Sequence, residues 1–89
     1  MIVAMYYVYV LEGHMQHKLY IGVTNDLRRR FTEHVRGKST HTSKSITWKL
    51  VYYEAYSNRD DAYQREQSLK QFGSAYGHLK SRITKSIAT

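Results

Sequence analysis

Two tyrosines, Tyr9 and Tyr20, stand eleven residues apart in two apolar, β-branched stretches, and Arg30 follows the second by ten positions. His34 lies four residues beyond Arg30, and Glu66 occurs later, in a polar segment with Ala62, Tyr63 and Leu69 nearby. A phenol carries an aromatic face and a hydroxyl on one stiff side chain. A guanidinium presents a planar fork of donors suited to a carboxylate or a phosphate, and a carboxylate is a hard oxygen ligand for a divalent cation. These are parts for chemistry on a phosphate, provided the fold gathers them.

Each part has a structural reading beside the chemical one. Arg30 and His34 fall on one side of a helix, flanking the Leu27/Phe31 stripe, where an unpaired guanidinium would be costly. Arg28 and Arg29 point elsewhere, towards solvent or towards a polyanion, and Lys44 in the later polar stretch is grouped with them as a phosphate contact. Glu66 projects among the inward residues of its helix. It is either one half of an ion pair, with Arg30 or Arg65 as partner, or the ligand of a cation at the mouth of a cleft. Tyr9 and Tyr20 either pack or line a cleft, and Gly22 beside Tyr20 would let a ligand backbone come close. His14 and His17 read as solvated turn residues and His41 as part of a loop. No His/Cys spacing matches a zinc site.

The elements that must position these groups are readable in order. "YYVYVL", Tyr6 to Leu11, is a strand, and "KLYIGV" alternates Leu19, Ile21 and Val23 against Tyr20 and Gly22. A four-residue loop from Gly13 to Gln16 would pair Glu12 with His17 and set Tyr9 opposite Tyr20, both rings on one face. "TNDLRRRFTEHVRG" predicts a helix capped by Thr24 or Asn25, with Asp26 in its first turn, an inward Leu27/Phe31/Val35 stripe, and Gly37 as its stop. Residues 38–47 are polar, a loop or a short helix. "WKLVYYEAY", Trp48 to Tyr56, is a third strand. A second helix follows, capped by Ser57 or Asn58, with Ala62, Tyr63 and Leu69 inward and Gly73 at its end. A last helix carries Leu79, Ile83 and Ile87. The sum is an α+β fold: a three-stranded, mostly antiparallel sheet flanked by helices, in the order β-β-α-(loop or α)-β-α-α. One domain over 1–89 is expected, its core about 6–73 and 74–89 a C-terminal helical tail.

Composition narrows the class. With 14 Lys and Arg against 7 Asp and Glu, the formal charge is +7, which favours a polyanionic partner through counterion release. There is no cysteine, hence neither a disulfide nor a thiolate metal site, which fits a reducing compartment. The apolar opening "MIVAMYYVYVL" lacks a basic leader region and a small-residue cleavage site and is too short to span a bilayer. A cytoplasmic, monomeric protein without membrane contact is the expectation.

Taken together, these residues resemble the GIY-YIG nuclease superfamily, in particular its small stand-alone bacterial members. "YVY" at Tyr7–Tyr9 and "YIG" at Tyr20–Gly22 look like the two halves of the family signature. The family's helix arginine falls on Arg30, a histidine of some members on His34, and the metal-binding glutamate on Glu66 in "REQSLK". The resemblance covers residues 6 to 73. Two departures stand out: Tyr7 replaces the first glycine, and no asparagine follows Glu66.

The resemblance implies an endonuclease that hydrolyses DNA phosphodiester bonds, in repair or recombination, using a single Mg²⁺ or Mn²⁺ held by Glu66. Tyr9, Tyr20, Arg30, His34 and Glu66 would form the catalytic set. Gly22, Arg28, Arg29 and Lys44 would contact nucleic acid. The alternative is a nucleic-acid-binding module of the same fold that no longer cuts. A third reading is an adaptor whose protein partner supplies targeting, since the larger relatives carry a separate DNA-targeting domain for which these 89 residues leave no room.

Overall fold

In the computed structural model, residues 4–13, 18–36 and 47–87 are described. The elements run β1 (Tyr6–Gly13), β2 (Lys18–Thr24), α1 (Leu27–Val35), β3 (Trp48–Tyr56), α2 (Arg59–Gln71) and α3 (Gly73–Arg82). The sheet order is β2-β1-β3 with both pairings antiparallel, so the α+β expectation holds. The central strand is the most buried one, and from Val8 to Gly13 each of its residues is buried.

Alternation along β1 divides the interior in two. Val8 and Val10 face α2 and α3, meeting Ile21, Ala62, Leu69, Leu79 and Ile83. Tyr9 and Leu11 face the other way, with Trp48 and the half-buried Tyr20, Leu27, Phe31 and Leu50, beneath α1. The pattern on β3 does not alternate evenly. Val10 pairs with Tyr52 but Leu11 with Leu50, so Val51 is the extra residue of a β-bulge. The bulge lets Leu50 and Tyr53, three positions apart, share the α1 face of the sheet.

Several expectations need correction. Gly13 pairs with Lys18 and continues the strand, so Tyr9 lies opposite Gly22 and Tyr20 opposite Leu11. The register is displaced by two residues from the expected one, and an even shift keeps both rings on one face. The cap of α1 is Asp26, whose side chain accepts from the Arg29 amide at 3.1 Å, rather than Thr24 or Asn25. Val35 is 51% exposed, and the fully buried residue of α1 is His34, because the helix turns its Arg30/His34 flank to the sheet. Tyr63 is likewise exposed, its ring under the Arg59 guanidinium at 4.9 Å, while Ala62 and Leu69 are buried as expected. Asn58 caps α2 and accepts from the Asp60 amide at 2.7 Å. Gly73, expected at the end of the second helix, lies just past α2 and is the first residue of α3, and Ile83 packs with Leu79 in the core. Gly37, Lys44, His14, His17 and His41 lie outside the described residues.

Candidate active site

Three elements bring four of the singled-out side chains together. β1 fixes Tyr9, β2 fixes Tyr20 on the diagonal from it, and α1 lays Arg30 and His34 over the same face. The Tyr9 hydroxyl is 2.9 Å from Nε2 of His34, with both side chains buried. The Tyr20 ring lies with its centroid 4.8 Å from that of His34 and 6.2 Å from that of Tyr9. Trp48 closes the far side of Tyr20, edge to face at 6.5 Å.

Charge enters through Arg30, whose guanidinium hydrogen-bonds Oε1 of Glu33 at 2.9 Å and also reaches the Tyr9 and Tyr20 hydroxyls. The Glu33 carboxylate, and then the two phenols, hold its pKa above the ordinary arginine value. In turn the Glu33 carboxyl is held below the usual carboxylate range by Arg30. Burial pushes the Tyr9 phenol up to about 12, against the opposing hydrogen bond from Arg30. Tyr9 therefore keeps its proton at neutral pH. A guanidinium can only donate, so towards Arg30 the Tyr9 oxygen is the acceptor, and the direction of the Tyr9–His34 bond is set by the imidazole tautomer. The contacts link Arg30, Tyr9 and His34.

Gly22 has a reason other than the expected one. A Cβ at this position would fall against the Tyr9 hydroxyl and 2.5 Å from Cζ of that ring. The space above the glycine is taken by Tyr9, a packing reason for this residue beside the ligand approach expected from the sequence. Arg28 and Arg29 are exposed, and the Arg29 side chain reaches Oδ1 of Asn25 at 3.4 Å.

Glu66 sits on α2, in the layer across the sheet. Its ion-pair partner is neither Arg30 nor Arg65 but Lys70, whose Nζ is 3.2 Å from Oε2. Lys70 also lines a cleft of about 340 Å³ at the β2 edge, shared with Leu19, Tyr20, Ile21, Leu69 and Tyr76. The lysine thus links the carboxylate to the strand that carries Tyr20. Among the described residues no three His, Cys, Asp or Glu side chains gather as a metal cage. A lone carboxylate suits an ion that keeps most of its waters and takes phosphate oxygens as further ligands, as Mg²⁺ does. Lys70 now occupies Oε2, so a metal ion at Glu66 would have to displace its ammonium.

Sequence reasoning passed over Glu54. Its carboxylate accepts from the Tyr52 and Tyr56 hydroxyls at 2.5 Å each, and from Nε and a terminal nitrogen of Arg65 at 3.0 Å each. This cluster ties β3 to α2 on the face away from Tyr9, and it is where Arg65 finds its carboxylate. The signal was the alternation Tyr52, Glu54, Tyr56, which puts one acid between two hydroxyls on one face.

Comparison with known proteins shows the family. The model of the GIY-YIG catalytic domain matches residues 5–80. A UPF0213 protein of Streptococcus agalactiae is 38% identical over 66 residues, covering 73% of this chain and 74% of the relative. Another from Haloquadratum walsbyi is 34% identical over 68 residues, covering 75% of each. The solution NMR structure of a UPF0213 protein from Bacillus halodurans superposes with a TM-score of 0.57 at 29% identity, over 86% of this chain and 83% of that one. With most of its length matched by the domain model and its fold shared with this relative, the chain is a member of the GIY-YIG family, a family that consists in general of endonucleases.

Proposed function

We propose that this protein is a divalent-metal-dependent endonuclease that hydrolyses DNA phosphodiester bonds at the surface shared by Tyr20 and Arg30. The observation that carries the reading is the convergence of Tyr9, Tyr20, Arg30 and His34 on one face of the sheet. Uncatalysed phosphodiester hydrolysis is extremely slow, so the site must supply a positioned water and neutralise charge on the phosphate. Arg30 would do the latter by exchanging Glu33 for the phosphate oxygens, its fork matching two of them. Tyr20, less enclosed than Tyr9, would orient the attacking water and, in its deprotonated phenolate form, take the water's proton to become the phenol. Tyr9, held neutral, and His34, held by Tyr9, would keep Arg30 and Tyr20 in place. Glu66 would hold one Mg²⁺ or Mn²⁺ once Lys70 gives way, and the bound ion would polarise the phosphate and stabilise the departing oxygen. The reading puts the protein in the cytoplasm, acting as a monomer on DNA in repair or recombination, with Arg28, Arg29 and Lys44 attracting the backbone.

A second reading has its own support. Arg30 is paired with Glu33 and Glu66 with Lys70, so each charge is already met as it would be in a module that binds without cutting. The discriminating experiment compares cleavage of branched, nicked and plain DNA by wild type and Glu66→Gln, with and without Mg²⁺ or Mn²⁺. Metal-dependent cutting that the variant loses supports the nuclease. Binding by both proteins with a steep salt dependence, and cutting by neither, supports the binding module.

A further inference from the structure

Tyr7 and Tyr53 take no part in the chemistry above, yet they stand next to it. Tyr53 is the direct cross-strand partner of Tyr9, and Tyr7 lies two residues from Tyr9 on the same face of the sheet. Their rings meet edge to face with centroids 5.9 Å apart. Tyr53 is 52% exposed and Tyr7 half-buried, so the pair forms an aromatic surface open to solvent. The bulge at Val51 is what creates it: with regular pairing from Leu50 onwards, Tyr53 would fall on the crowded α2 face. Cross-strand neighbours are roughly 5 Å apart, about the distance from a phosphate to the start of the adjoining base.

We propose that Tyr53, braced by Tyr7, is a stacking platform for one unpaired nucleobase beside the phosphate that Arg30 meets. This inference rests on the nucleic-acid reading of that site and names its substrate class: DNA with a nucleotide that is unpaired or drawn out of the stack next to the cleavage point. Three features favour a base as occupant. The platform adjoins Tyr9 on the α1 face of the sheet, the net charge of +7 draws in the attached backbone, and a flat aromatic face accepts any base without regard to sequence. A base paired within a duplex has both faces covered and cannot use it.

The test is equilibrium binding in EDTA, so that no cleavage intrudes, to two probes. One is a duplex with a single unpaired 2-aminopurine, and the other is the same duplex fully paired. Wild type is expected to prefer the first about tenfold and to change the fluorescence of the unpaired base. Tyr53→Ala should abolish both the preference and the fluorescence change, while Tyr53→Phe, which keeps the ring, should retain them. Position 53 is exposed, so the substitutions should leave the fold intact. Equal binding of the two probes by wild type, or an undiminished preference in Tyr53→Ala, would overturn the platform. Neither result would touch the nuclease reading, which stands or falls on metal-dependent cutting and its loss in Glu66→Gln. Conversely, a preference lost in Tyr53→Ala supports the platform even if no DNA is ever cut.

Discussion

The ring of Tyr9 lies in the volume that any side chain at residue 22 would need, with Gly22 directly opposite it on the neighbouring strand. Gly22→Ala should therefore displace a fully buried ring at the centre of the site. The expected cost is about 1–3 kcal/mol in urea denaturation, as for overpacking a core, with loss of the Tyr9–His34 contact visible in the histidine NMR signals. Wild-type stability in this variant would show that Tyr9 can move aside freely.

Tyr9→Phe removes the hydroxyl and with it the 2.9 Å contact to Nε2 of His34. Loss of one buried hydrogen bond costs about 0.5–1.5 kcal/mol. Cleavage should fall as well, because the Arg30–Tyr9–His34 chain is cut at its middle. A thermal melt and a cleavage assay on the same preparation check both. Unchanged cleavage would remove Tyr9 from the positioning chain.

Alkaline titration reads the burial of the phenols. Tyr9 and Tyr56 are each pushed up to about 12, chiefly by burial, against an unfolded value of 10.0. Between these values the unfolded chain has released protons that the folded chain retains, so stability falls as pH rises. The contribution is complete below about pH 10 and gone above about pH 12. Replacing both residues by Phe should flatten the fall in urea midpoint over that window, and an equally steep fall would contradict it.

Glu54 predicts the opposite flank. Its carboxyl is held below the usual range by Arg65 and the two tyrosine hydroxyls, which together outweigh its burial. A depressed folded pKa gives stability that is present above the unfolded value and lost as pH falls through the folded one. Glu54→Gln should cost on the order of 2 kcal/mol at neutral pH, through loss of charge-assisted hydrogen bonds, and should make the acid limb of stability shallower. An identical acid limb in the variant would mean that other carboxylates govern it.

Arg30→Lys keeps the charge but not the planar fork. Cleavage should drop on the order of 10²-fold, by analogy with removal of one oriented transition-state donor, while DNA binding changes only a few-fold. Cleavage equal to wild type would show that a point charge suffices.

Much of this arrangement was legible in the residues. Strand β3 runs from Trp48 to Tyr56 as its composition predicts, and the helix phase puts Arg30 and His34 on one side. The register of the hairpin was not legible, because apolar alternation is blind to a two-residue shift: Tyr9 opposite Tyr20 and Tyr9 opposite Gly22 bury the same faces. The bulge at Val51 was hidden for a related reason, since β-branched and aromatic residues suit either side of a sheet. The Glu66–Lys70 pair was readable in "REQSLK", where an acid four residues before a lysine is the favoured helical order. Glu54 was missed because its arginine comes from another element.

The central claim is that the Glu66 carboxylate and the Tyr20/Arg30 surface serve one phosphate, although α1 and α2 pack on opposite faces of the sheet. Paramagnetic broadening by substoichiometric Mn²⁺, followed on side-chain resonances of wild type and Glu66→Gln, tests it most directly. The expected result is that Glu66, Lys70 and the Tyr20 ring broaden first in wild type, and that Tyr20 stays sharp in the variant. Broadening of Tyr20 that persists in Glu66→Gln, or broadening at Glu66 that spares Tyr20, would contradict it.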